Sequence, residues 1–279
     1  MGRTIGVGLA TVALGLALVA GAAVAQGQAT TIRLSATLNA AQEVPPTTGD
    51  VAAARGTFTA TVTRSGTGTA LEWRLTFTGL TGPAGAAHIH IAPAGQAGGV
   101  AVPLCGPCQS PATGTATIDE AVLNALQTGG AYANVHTATN DPGEIRGQIA
   151  VAASVTTRLN ARQEVPRPKG RANRARGTFT ATVTKLGTSG TLSWRLRFSR
   201  LTGRAVAAHV HVARRGRAGP VAVPLCGPCR SGARGNATLG ASTIAALEAG
   251  RAYVNVHTAR NPAGEIRGQL PAAPLRLTP

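Results

Sequence analysis

Six histidines and four cysteines are the only residues of their kinds in this 279-residue chain, and they fall into two sets of identical spacing. His88, His90, Cys105, Cys108 and His136 recur as His209, His211, Cys226, Cys229 and His257, each displaced by 121 residues. Trp73 and Trp194, Tyr132 and Tyr253, and the QEVP runs beginning at Gln42 and Gln163 keep the same offset. Whatever chemistry the protein has is therefore present in duplicate, on two units that are domain-sized rather than solenoid rungs.

In the string AAHIHIA, apolar Ala87, Ile89 and Ile91 alternate with His88 and His90. On a strand both imidazoles project from one face while the apolar residues turn to the core. Residues i and i+2 stand about 7 Å apart, close enough for two rings to converge on one ion. In AYANVHT, His136 shares a face with Tyr132 and Asn134, so a neighbouring strand here brings a third imidazole to the pair. Three neutral imidazoles are a donor set for zinc or copper, and the expectation is one such ion per repeat, held by His88, His90 and His136 and by His209, His211 and His257. No fourth ligand is identifiable. The competing reading has the histidines hydrogen-bonded to backbone groups in a polar groove, or contacting a ligand.

CGPC at Cys105 to Cys108 and again at Cys226 to Cys229 has the form of a redox dithiol, which predicts reactive thiols. Its context is an all-β pattern with no helix opening behind it, and a short structural disulfide within each loop is the preferred reading; thiolate ligation of a metal is the lesser alternative. NDPGEIRGQI, repeated as NPAGEIRGQL, reads as a turn leading into a strand. Glu144 with Arg146, and Glu265 with Arg267, fall on one face, where an ion pair would order a rim near the histidines, beside Asn134 and Asn255; an exposed pair worth about 0 to 1 kcal/mol is the competing reading.

The elements that must position these groups are strands. Ile32, Leu34, Ala36 and Leu38 alternate with polar residues, as do Phe58, Ala60 and Val62 and then Leu71, Trp73, Leu75 and Phe77. RSGTG, TGPAG and NDPGE punctuate the runs, and seven or eight short antiparallel strands per repeat predict an all-β sandwich or barrel. IDEAVLNALQTGG is the one helical interruption, with Asp119 at its start and Gly129 at its stop. Residues 26–150 and 151–271 form the two expected domains, joined without a long linker, and the tail from 272 to 279 is expected to be loose.

Residues 1–25, MGRTIGVGLATVALGLALVAGAAVA, have the form of an export signal, with an apolar stretch and small residues before a cut at Gln26. A secreted or cell-envelope protein is expected from this, with cysteines in an oxidising compartment and no transmembrane segment after cleavage; an uncleaved membrane anchor is the competing reading. The charge is divided unevenly. Gln26 to Ala150 carries five arginines against seven acidic residues, whereas the chain from Val151 carries nineteen arginines and two lysines against three glutamates. The second unit alone is basic, which suits an anionic envelope polymer or lipid headgroups; free substitution of arginine on a solvated surface is the competing reading. Specific nucleic-acid recognition is not expected, because base-stacking aromatics are not interleaved with the basic residues.

Three strings together resemble the CHRD (chordin) domain: the opening from Leu38 to Pro45 and from Leu159 to Pro166, the FTGLT or FSRLT step before AAHIH or AAHVH, and the closing YxNVHT with GEIRGQ. The resemblance implies an immunoglobulin-like β-barrel, once per repeat, in a family whose microbial members are exported and largely without an assigned role. The growth-factor partners of chordin are not carried over. A fainter similarity is to the Greek-key barrel of copper-zinc superoxide dismutase, in which His88, His90 and His136 would fall on copper positions, although no histidine remains for a bridge or a zinc site. Together these readings favour a tandem, non-catalytic extracellular binding module over a copper-dependent redox enzyme.

Overall fold

Alternation of apolar and polar residues dictates strands with one buried face, and sixteen form among the described residues. In the first repeat they are β1 (Thr30–Asn39), β2 (Arg55–Ser65), β3 (Gly68–Thr78), β4 (Ala84–Ile91), β5 (Val100–Cys105), β6 (Ala112–Ile118), β7 (Ala131–Thr137) and β8 (Ile145–Gln148). The second repeats them as β9 (Ala150–Asn160), β10 (Arg176–Leu186), β11 (Ser189–Ser199), β12 (Ala205–Val212), β13 (Val221–Cys226), β14 (Arg234–Leu239), β15 (Ala252–Thr258) and β16 (Ile266–Gln269). Helix α1 (Glu120–Thr128) lies between β6 and β7, and α2 (Ala241–Glu248) between β14 and β15. This computed structural model describes residues 1–2 and 30–277, so the export signal expected at 1–25 lies almost wholly outside the described residues. No helix among the described residues is long and apolar enough to cross a membrane.

Each repeat is one curled antiparallel sheet, in the order β6-β3-β2-β1-β8-β7-β4-β5 and its counterpart β14-β11-β10-β9-β16-β15-β12-β13. The edge strands β5 and β6 do not pair, so the sheet curls around its core without closing into a barrel. Ile32, Leu34, Ala36 and Leu38 are buried as their spacing requires, and across the fold Ile145 of β8 reaches Gly56 of β2 so closely that a Cβ there would sit 3.0 Å from it. Ile91, at the end of β4, departs from the expected pattern and is 39% exposed. Helix α1 starts and stops where its sequence says. The Asp119 side chain accepts from the Val122 N–H at 2.8 Å, Gly129 takes a left-handed φ of 73°, and Val122, Leu123 and Leu126 are buried.

The two repeats share backbone pairing. Arg33, Leu34 and Ser35 of β1 pair with Ala152, Val151 and Ala150 of β9, which makes the apolar joint between the units a strand rather than a linker. The tail expected to be loose is instead packed: Leu275 and Leu277 are buried, the Ala273 N–H donates to Leu247 O, and the Leu277 N–H donates to Gln127 Oε1 in the first repeat. Its PLRL pattern offers two leucines that would otherwise meet water, and burying each contributes about 2 kcal/mol. Leu275→Ala should therefore lower the unfolding free energy by about 2–5 kcal/mol in denaturant titration, whereas an unchanged midpoint would show that the tail contributes no packing.

Candidate functional site

Strand order decides which side chains meet. β7 lies between β4 and β8, with His88 opposite Asn134, His90 opposite Tyr132, and Asn134 opposite Arg146. His88, His90, Tyr132, Asn134, His136, Arg146 and Gln148 thus share one face. The loop after β4, carrying Pro93, Gln96 and Gly98, contributes carbonyls to it. Gly98 allows that approach, because a Cβ at this position would fall 2.1 Å from Ile91 O.

The three histidines converge. One ring nitrogen of each lies within 4.8 Å of one from each of the other two, and the second repeat does the same with His209, His211 and His257. His90 donates from Nδ1 to Gly98 O at 2.9 Å, and His136 from Nδ1 to Asp141 O at 2.8 Å, which leaves both Nε2 atoms as lone-pair donors. His88 Nδ1 stands 3.1 Å from His136 Nε2. Nε2 of His90, a residue 7% exposed, has no hydrogen-bond partner, and the same is true of His211 Nε2. Backbone carbonyls fix the ring orientations, so the reading of histidines merely held in a polar groove explains the Nδ1 atoms and leaves these buried Nε2 atoms without a role. Desolvation, followed by repulsion from the neighbouring imidazoles, lowers the pKa of His88 and His209; desolvation also lowers those of His90, His211 and His257. Each of these shifts favours the neutral ring, the form a metal takes. The residues present fit a metal ion.

Behind the triad stands a stacked column. His90 lies parallel to Tyr132, with centroids 5.0 Å apart and planes inclined by 10°, and Arg146 Cζ lies 3.5 Å from the same ring's centroid. Arg146 is 1% exposed; it donates to Gln96 O at 2.7 Å, Pro93 O at 3.0 Å and Gln148 Oε1 at 3.2 Å. His211, Tyr253 and Arg267 repeat the column.

The expected ion pairs between Glu144 and Arg146 and between Glu265 and Arg267 do not form. Glu144 precedes the start of β8, so strand alternation does not govern it. Its fully buried carboxylate instead accepts from the Thr81 N–H at 2.6 Å, Thr81 Oγ1 and Thr137 Oγ1 at 2.5 Å each, and Asn140 Nδ2 at 3.2 Å. Burial alone would raise its pKa, but the hydrogen bonds from Thr137, Thr81 and Asn140 outweigh it and hold the group below the usual carboxylate range. Glu265 is bound in the same way by Thr202, Thr258 and Asn261. These carboxylates tie together the loops that carry Asp141 and Pro262, whose carbonyls orient His136 and His257. Asn134 donates to Pro142 O at 3.4 Å beneath Gly143, whose φ of 142° and missing side chain allow the contact, since a Cβ would meet the Asn134 amide at 2.4 Å.

The carboxylates that do face the buried arginines are Glu43 and Glu164, which the sequence offered only as the repeated QEVP. Burial pushes each up to about 7, against the opposing pull of Arg146 or Arg267. The CGPC loops hold disulfides, Cys105 to Cys108 and Cys226 to Cys229, and no free cysteine occurs among the described residues. Each follows the end of a strand rather than opening a helix, so the helix N-terminus that lowers a thiol pKa in redox sites is absent there.

Fold and site together define a class: paired, open-edged β domains, each with a three-histidine cluster backed by an arginine-tyrosine stack. The CHRD domain family model matches the chain twice, at residues 34–149 and 155–270, and the protein belongs to the CHRD family. No curated protein and no solved structure matches it.

A raised carboxyl pKa stabilises the fold fully below about pH 4.5, and that contribution is lost as pH climbs toward about 7. The double variant Glu43→Gln/Glu164→Gln removes the loss. Relative to the parent it should gain up to about 3 kcal/mol per site between pH 5 and pH 8 by chemical denaturation. A parent-to-variant difference that does not move with pH would contradict it.

Proposed function

We propose that the protein is an exported, non-catalytic binding module of the cell envelope or extracellular space in which each CHRD repeat holds one copper or zinc ion. His88, His90 and His136 would hold the first ion and His209, His211 and His257 the second. The observation that carries this reading is the buried, unpartnered Nε2 of His90 and His211, facing two further imidazole nitrogens. A buried polar atom without a partner costs about 1–3 kcal/mol, and a metal ion removes that cost. Asn134, Glu144 and Arg146, with Asn255, Glu265 and Arg267, would position the ligands and not bind the ion. The surplus of positive charge after Val151 supports adhesion of the second repeat to an anionic envelope polymer or headgroup surface.

A copper-dependent redox enzyme of superoxide-dismutase type is the second reading. It is favoured by the partial exposure of His88 and His136, which leaves the first cluster open to solvent. All six histidines belong to the two triads, so none is left to bridge a second metal or to build a zinc site. Redox activity would then have to come from a single ion per repeat.

Elemental analysis of protein recovered from its exported compartment should give about two equivalents of copper or zinc, one for each donor set. Replacing His88, His90 and His136 by Ala should remove one equivalent, and replacing all six histidines should remove both. Metal-free protein that takes up neither ion on loading would overturn the proposal; stoichiometric copper with rapid superoxide consumption would favour the enzyme.

A further inference from the structure

Three loops of the second repeat meet at one end of its sheet: the β9–β10 loop, the β11–β12 loop and the β15–β16 loop. Between them lies a cleft of about 1100 Å³, whose lining includes Arg171, Arg174, Arg200 and Arg260 together with Leu201 and Thr202. All four arginines are exposed, and none takes part in an ion pair or a side-chain hydrogen bond among the described residues. No acidic residue and no aromatic ring lines the cleft.

The first repeat supplies an internal control. At the positions 121 residues earlier stand Asp50, Ala53, Gly79 and Thr139, so every one of the four charges is particular to the second repeat on an otherwise common frame. One of the four also sits on constrained backbone. Gly79 has a φ of 70°, and a Cβ there would fall 2.3 Å from Ala53 O. Its counterpart Arg200 keeps a left-handed φ of 58°, the only non-glycine residue with positive φ among those described. The facing segments keep the same backbone turn, with the Ala54 N–H donating to Val51 O at 3.0 Å and the Ala175 N–H to Ala172 O at 2.9 Å, and in the second repeat it is a 3₁₀ turn at Ala172–Arg174. Arginine in that conformation is strained where glycine is not, and such strain persists where a site needs the side chain. Gly170, with φ 77°, leaves room for the Arg260 guanidinium, which a Cβ would meet at 3.0 Å.

The geometry points to this cleft as the binding site for a linear polymer with closely spaced oxyanions, phosphate or carboxylate. The proposal rests on the reading that the second repeat adheres to an anionic envelope polymer, and it names the residues that do so. Guanidinium forks match both oxyanions in paired hydrogen bonds. Four of them around a cleft this wide exceed what one small anion can engage. Nucleic acid is disfavoured by the lack of a stacking ring. A bilayer is disfavoured because no large exposed apolar side chain lines the cleft to enter it.

The test uses the full mature chain in 150 mM salt against immobilised inorganic polyphosphate and, separately, alginate, which distinguish the phosphate from the carboxylate source. The cleft variant Arg171→Gln/Arg174→Ala/Arg200→Gly/Arg260→Thr takes three of its four replacements from the first repeat, so it should melt no lower than the parent. A second variant, Arg158→Gln/Arg195→Gln/Arg197→Gln/Arg234→Gln, removes equal charge from the same repeat outside the cleft. The expected result is a loss of roughly tenfold or more in affinity for the cleft variant, with a shallower salt dependence, and a change within about threefold for the second. Equal losses in both would overturn the cleft while leaving general adhesion intact. No binding of the parent to either polymer would overturn adhesion itself. Tighter cleft-dependent binding to single-stranded DNA or phosphatidylglycerol vesicles would overturn the ligand class.

Discussion

A guanidinium buried in each repeat holds the rest of the site in place. Arg146 is 1% exposed and its counterpart Arg267 equally so, yet neither has a carboxylate in salt-bridge contact. An unpaired buried charge costs several kcal/mol unless its donors are satisfied. Here three oxygens and a tyrosine ring satisfy them: two carbonyls of the β4–β5 loop, the Gln148 amide oxygen and the face of Tyr132. The arrangement has two consequences for the histidines. The loop that Arg146 draws in supplies the Gly98 carbonyl that fixes His90, and the ring that Arg146 covers is the one on which His90 stacks. Strand pairing then carries the same order across β7 to His136.

Around this column the fold separates support from chemistry. Glu144 and Glu265 are saturated with hydrogen-bond donors and tie loops together, while Glu43 and Glu164 sit with one oxygen unpartnered and their pKa raised to about 7. The disulfides anchor the CGPC loops, where the Cys108 N–H donates to Ala84 O at the head of β4. Duplication has kept all of this nearly unchanged, whereas surface charge has diverged, so the two copies present similar interiors to different surroundings.

Much of this was legible in the sequence because it follows from period-two alternation. His88 and His90 on one face, the burial of Ile32 through Leu38, and the limits of α1 at Asp119 and Gly129 all rest on local rules that tertiary context did not override. Convergence of His136 with that pair needed one further fact, that β7 neighbours β4, which no spacing reveals. The pairing of Glu144 with Arg146 was misread because alternation was extended one residue beyond the start of β8. The tail was misread as loose because two leucines among prolines carry no periodic signal, and the tail's hydrogen-bond partners, Gln127 and Leu247, lie on both repeats. Glu43 was visible only as a repeated string; its role depends on a contact with a strand about 100 residues away.

The metal site proposed for each repeat rests on three imidazole nitrogens. Anomalous diffraction from crystals loaded with zinc or copper, collected on either side of the metal's absorption edge, tests it most directly. Two peaks are expected, each about 2.0–2.1 Å from three histidine nitrogens, with His90 and His211 binding through Nε2. Peaks elsewhere, or none at the triads in fully loaded crystals, would contradict it.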